Sequence, residues 1–121
     1  MNVYQSKHYR EYMKSKIDNY VKVRGYRTRL ARAAGFSPSF LSQVMHESVE
    51  ITPEHAIRMA QFWELDAKST EYWMLLVDHG RAGSIILRRH IEDRMHRMAM
   101  EHGFHGAFTA QSASPSYSAQ A

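Results

Sequence analysis

The sequence predicts an all-α fold, a compact bundle of about six helices, on three observations. Apolar side chains recur at three- and four-residue spacing through most of the chain. Several of these runs open on a helix-start signal, such as Ser37-Pro38 and Thr52-Pro53-Glu54. No stretch sustains the apolar/polar alternation of a strand, and no hairpin turn or 20–50 residue repeat is present.

The elements follow in order. Tyr9, Tyr12, Met13, Ile17, Tyr20 and Val21 predict an amphipathic helix over residues 9–23, which Gly25 ends. Residues 27–45 predict two short helices. Leu30 and Ala31 face inward from the first, and Gly35 ends it in the left-handed conformation that strains other residues. Phe36 fills the space between the two. Ser37 is the N-cap of the second helix and Pro38 its first residue. Leu41 and Val44 join the core, which leaves Ser39, Ser42 and Gln43 pointing outward.

Thr52 caps the next helix, with Ala56, Ile57, Ala60 and Trp63 as its buried stripe. Asp66 caps another that carries Tyr72, Trp73, Leu75 and Leu76, and HGRAG at 79–83 reads as the following break. A longer helix from Ser84 to about His102 carries Leu87, Ile91, Met95 and Met98. From Gly103 to Ala121 small and polar residues without a period predict a disordered tail. The expected organisation is a domain over 1–79, a C-terminal helix over 80–102 and the tail over 103–121.

With 44% hydrophobic and 23% charged residues over 121 positions, the chain fits one soluble domain. The opening MNVYQSKHYR is polar, and the longest apolar run, WMLLV at 73–77, is far too short for a membrane span. The expectation is a cytoplasmic protein without a membrane partner. The absence of cysteine excludes disulfides and Cys-ligated zinc.

Charge is unevenly placed. Residues 1–46 hold nine Lys or Arg against Glu11 and Asp18, a net of +7, whereas residues 47–79 carry a net of −5. Between Asp18 and Glu47 there is no acid, while Lys22, Arg24, Arg27, Arg29 and Arg32 lie there. Such an end attracts a polyanion, although a solvated basic face without a partner has the same composition.

The helix from Pro38 has a buried Leu/Val edge and a short polar face, the form that lies in a DNA major groove. Small side chains permit close approach, and the Gln43 amide is able to bond an adenine edge twice. An ordinary helical hairpin whose Ser and Gln meet water fits the same pattern.

LARAAGFSPSFLSQV, Leu30 to Val44, resembles the helix-turn-helix of the phage-repressor (Cro/cI-like) class, with Leu30, Ala31, Gly35, Phe36, Ser37, Leu41 and Ser42 in register. The flanks YREYMKSKIDNY, ITPEHAIRMAQFWEL and EYWMLLV resemble a bacterial regulator family with such an N-terminal domain, and the resemblance spans roughly residues 9–79. It implies a lambda-repressor-like helix-turn-helix that binds double-stranded DNA and regulates transcription. Position by position, it puts Pro38, Ser39 and Gln43 at base contacts, with Ser42 at a further one. Arg27, Ser37 and His46 fall at phosphate-facing places, and Lys22, Arg24, Arg29 and Arg32 supply the surrounding cationic pool. Pro38 stands where family members often have Gln, Tyr26 where Ser or Thr caps, and Phe40 is bulky for a surface near DNA. The alternative is a helical protein-interaction module that reuses the same fold.

Other chemistry finds little footing. His90, His96 and His102 recur every six residues, so on a helix they do not share a face, and no metal or cofactor is expected. There is no nucleophile elbow, Walker loop or dinucleotide fingerprint, and no enzyme is expected. The stripe Leu87, Ile91, Met95 and Met98 has two readings: packing on the chain's own core, or the interface of a homodimer with two reader helices one DNA turn apart. Its methionines would also accommodate a second protein.

Overall fold

A computed structural model describes residues 1–104: one short 3-10 turn and six α-helices, with no strand among the described residues. The turn is Val3–Gln5, followed by α1 (Tyr9–Asn19), α2 (Tyr26–Ala34), α3 (Pro38–Met45), α4 (Pro53–Phe62), α5 (Ala67–Arg81) and α6 (Ile85–Glu101). The tail expected beyond residue 104 lies outside the described residues.

Local chemistry sets most helix starts. The Thr52 hydroxyl accepts from the His55 N–H, while the His55 ring accepts from the Thr52 N–H at 3.1 Å. Asp66 accepts from the Ser69 N–H at 2.8 Å, and Ser84 caps α6 through the Leu87 N–H. His8 caps α1, its Nδ1 accepting from the Arg10 N–H at 3.0 Å. Each cap satisfies a backbone donor that the helix itself leaves orphaned.

Aromatic side chains dominate the core. Trp73 is fully buried, donates through Nε1 to the Ala56 carbonyl at 2.8 Å, and meets Trp63 edge-on with ring centroids 5.0 Å apart. Tyr12 packs edge-on against Trp63 from α1, so three helices converge on one pair of indoles. The α2 helix packs chiefly on α4, and α5 on α4 and α6. No helix among the described residues is long and apolar enough to cross a membrane.

The structure corrects four expectations. First, α1 ends at Asn19 rather than 23, and Val21 is 76% exposed. The chain turns there twice, Val23 N–H bonding the Tyr20 carbonyl and Tyr26 N–H that of Val23, to bring α2 back against the core. Second, Gly80 is no break. It lies within α5, where an added Cβ would come within 2.8 Å of the Tyr9 ring, so its missing side chain allows close packing. Third, Ile91, Met95 and Met98 are buried in the chain's own core, and of the stripe expected at a dimer interface only Leu87 is exposed. These side chains cover α5 and are not available to a second copy. Fourth, Gly103 and Phe104 do not belong to a tail. Gly103 (φ 79°) closes α6, and Phe104 stacks on Tyr4 at 5.8 Å.

The N-terminal turn was not legible in the sequence. Val3 and Tyr4 are buried, and Tyr4 stacks on His102 at 4.3 Å, joining the start of the chain to the end of α6.

Candidate nucleic-acid interface

The α2–α3 pair is built as its residues dictate. Gly35 closes α2 at φ 93°, and the Phe36 N–H returns to the Ala31 carbonyl at 3.0 Å. The Ser37 hydroxyl accepts from the Phe40 N–H at 3.0 Å, with Pro38 at the first position of α3. Leu41 and Val44 are fully buried. That burial contributes roughly 1.5–3 kcal/mol per side chain and fixes which face of α3 turns out.

At about 100° per residue, Pro38, Ser39, Ser42, Gln43 and His46 fall within about 140° of one another, opposite Leu41 and Val44. Pro38, Ser39, Gln43 and His46 are exposed, and Ser42 is half-buried. Phe40 does not obstruct this face. It is half-buried, 5.0 Å from Phe36 and 5.6 Å from His55 between ring centroids, so its bulk lies toward α4. Phe36 is likewise only partly buried and packs at the edge of the core.

The C-terminal end of α3 is held by bonds that sequence reasoning missed. The Val44 carbonyl accepts from Arg10 Nε at 2.7 Å, and Arg10 Nη2 donates to the Val49 carbonyl at 2.8 Å and to Glu50 Oε2 at 3.0 Å. Tyr9 Oη donates to the other Glu50 oxygen at 2.7 Å. The Gln43 carbonyl takes both the N–H and the hydroxyl of Ser48, each at 3.0 Å. His46 Nδ1 lies 2.8 Å from the Ser42 carbonyl, which only accepts, so Nδ1 carries the proton and Nε2 is left for an outside partner. Only the summed charge of the first 46 residues registered Arg10, whose side chain is 13% exposed.

Electrostatics follow from these contacts. Burial pushes the Glu50 carboxyl up, but the bonds from Tyr9 and Arg10 outweigh it and hold it below its ordinary range. Burial and then the Arg10 guanidinium lower the His8 imidazole, and burial followed by Arg58 lowers that of His55. Both rings therefore stay neutral and able to accept from a helix N-terminus.

The cationic pool is not one surface. Lys22, Arg24, Arg27, Arg29 and Arg32 are all exposed. Arg24 and Arg27 line one recess beside the α1–α2 turn, whereas Arg29 lines another with Phe62, Trp63 and Glu64. Two positions along α2 rotate a side chain by about 200°, which sends Arg27 and Arg29 to opposite sides. Ala33, one turn beyond Arg29, faces α4. Arg29 is thus separated from Arg27, while Arg32 lies nearer to the Arg29 side. Tyr26 is not a cap: Gly25 (φ 75°) precedes α2 without a side-chain bond, and the Tyr26 ring is buried, its hydroxyl accepting from Trp63 Nε1 at 2.9 Å.

Comparisons with protein-family models, curated proteins and solved structures return no significant match.

Proposed function

We propose that the chain binds double-stranded DNA in the major groove through α3 and regulates transcription, as a helix-turn-helix formed by α2 and α3. One observation carries this reading. A short helix exposes Ser39 and Gln43 beside half-buried Ser42, while its two ends are pinned by Ser37 and by Arg10 with Ser48. A reader needs that combination, because base contacts discriminate only when the helix presenting them is held in register. Pro38, Ser39, Ser42 and Gln43 face the bases in this reading. Arg24, Arg27 and Lys22 supply phosphate contacts, with Ser37 and His46 at the two ends of α3.

The proposal includes a second copy of the chain, since one reader helix touches few base pairs. Leu87 remains exposed for such a contact, now together with Ile85 and Ile86 rather than with the buried stripe.

Titration of a random duplex against salt tests the mechanism. If about three phosphates are neutralised per copy, the log–log slope for that copy is about −2.7. A slope near zero removes DNA binding by this surface and leaves the helical interaction module as the reading.

A further inference from the structure

A second recess adjoins the one lined by Arg24 and Arg27, sharing Tyr20, Val23 and Tyr26 with it, and extends to Arg29 and the end of α4. It measures about 410 Å³, within the range of small-molecule sites. Its walls are aromatic. Tyr20 and Tyr26 stack with centroids 4.8 Å apart and planes 20° from parallel, and Phe62 and Trp63 close the side belonging to α4. Tyr20 and Val23 remain 43% and 41% exposed, apolar surface the fold leaves in water at the mouth.

Three charged groups line the same space. Lys16 and Arg29 enter from α1 and α2, and neither has an ion-pair partner among the described residues. Burial lowers the Lys16 ammonium below its ordinary range, so it is already partly stripped of water. Glu64 also lines the recess, just past α4 with φ 55°, a backbone conformation that favours glycine. Stacked rings bind planar rings, two cations against one carboxylate favour an anion, and Glu64 accepts from a ligand N–H or O–H.

We infer that this recess binds a small planar aromatic carboxylate, its ring between Tyr20 and Trp63, its carboxylate on Lys16 and Arg29, and a ring N–H or O–H on Glu64. The ligand chemistry is read from the recess alone, whereas a role in receiving a signal rests on the proposed DNA binding, the recess sharing Tyr20, Val23 and Tyr26 with the one that Arg24 and Arg27 line.

The indole N–H of Trp63 provides the test. Trp63 Nε1 bonds Tyr26 at the recess, whereas the backbone amides of α6, which packs on α5 and the N-terminal turn, serve as an internal control. The ¹⁵N-labelled full chain, free of DNA, is titrated with indole-3-acetate, with uncharged tryptophol, and with 1-naphthaleneacetate, which lacks the N–H. Indole-3-acetate is expected to move the Trp63 resonance and leave the α6 amides in place. Tryptophol and the Arg29→Ala variant are each expected to weaken the response about tenfold or more. Glu64→Ala removes the acceptor and is expected to abolish the preference for the indole over the naphthalene. Unperturbed α6 amide resonances in each free variant report an intact fold. No movement of Trp63 at 10 mM probe overturns the proposal, as does equal binding of tryptophol or a response spread to the α6 amides.

Discussion

Arg10 in α1 donates through Nε to the carbonyl oxygen of Val44, 2.7 Å away at the end of α3 and 34 residues distant in sequence. The same guanidinium reaches Val49 and Glu50, so one side chain from the first helix fixes where the exposed face of α3 points.

Removing that side chain leaves the Val49 carbonyl and part of the Val44 carbonyl unsatisfied at a largely covered site. Bonds from a charged donor contribute about 1.5–3 kcal/mol each, while the half-exposed pairing with Glu50 adds little. Arg10→Ala is therefore expected to destabilise the fold by about 2–4 kcal/mol, with Arg10→Lys intermediate. Urea unfolding checks this, and a loss below about 0.5 kcal/mol would show that α3 is held by its core contacts alone.

Gln43 is exposed, and its side chain forms no bond among the described residues. Gln43→Ala is expected to leave the unfolding midpoint unchanged. On the proposed reading it relaxes preference at one base pair by about 1–3 kcal/mol. Selection of bound duplexes from a random library, run on both proteins, measures the change; identical preferences would remove this side chain from base reading.

Acid is expected to weaken the fold in two stages. His8 and His55 both accept a backbone N–H through a ring nitrogen and have lowered pKa values, so the folded chain binds fewer protons than the unfolded one. Their contribution is present above the ordinary histidine value of 6.5 and is lost as pH falls below it. Arg10, Glu50, Glu47 and His79 act on His8, and Arg58 and Glu54 on His55. Glu50, also lowered, adds a second loss below 4.5. Unfolding free energies between pH 8 and 5 measure the first stage. The double variant His8→Asn, His55→Gln caps without titrating and is expected to flatten it; an unchanged slope would assign the loss to other groups.

Gly80→Ala sets two effects against each other. Alanine favours a helix interior by about 1 kcal/mol over glycine and gains less in the last turn, where Gly80 lies, but its Cβ would meet Tyr9 at 2.8 Å and 2.9 Å. Tyr9 is fully buried and its hydroxyl is tied to Glu50, so the ring has little room to yield. Overpacking costs about 1–3 kcal/mol, and the net expectation is a loss, read as a lower thermal midpoint. A raised midpoint would mean that α5 moves freely away from α1.

What was legible in the sequence is local. The Ser37, Thr52 and Asp66 caps, the Gly35 corner and the burial of Leu41 and Val44 each depend on neighbours within a turn or two. Contacts between distant segments were not legible. No spacing rule links Arg10 to Val44, and none distinguishes Gly80 as a packing contact from Gly83 as a break. Val21 continues the helical period of α1 and is nevertheless exposed, because the chain must turn before Tyr26. The stripe Ile91, Met95 and Met98 was visible as a stripe. Whether its cover was α5 or another molecule depended on tertiary packing. The recess beside Arg29 draws on α1, α2 and α4, whose spacing places Lys16 and Glu64 together only after folding.

Tyr4 rests between Tyr72 and His102, and His79 of α5 meets Glu92 of α6 at 2.7 Å. The last helix is therefore masonry for the first residues rather than an appendage. A shortened fragment stopping near residue 79 would bare the flank of α5 to water and release the opening turn. Any attempt to isolate the α2–α3 pair as a minimal piece has to carry the chain through Phe104.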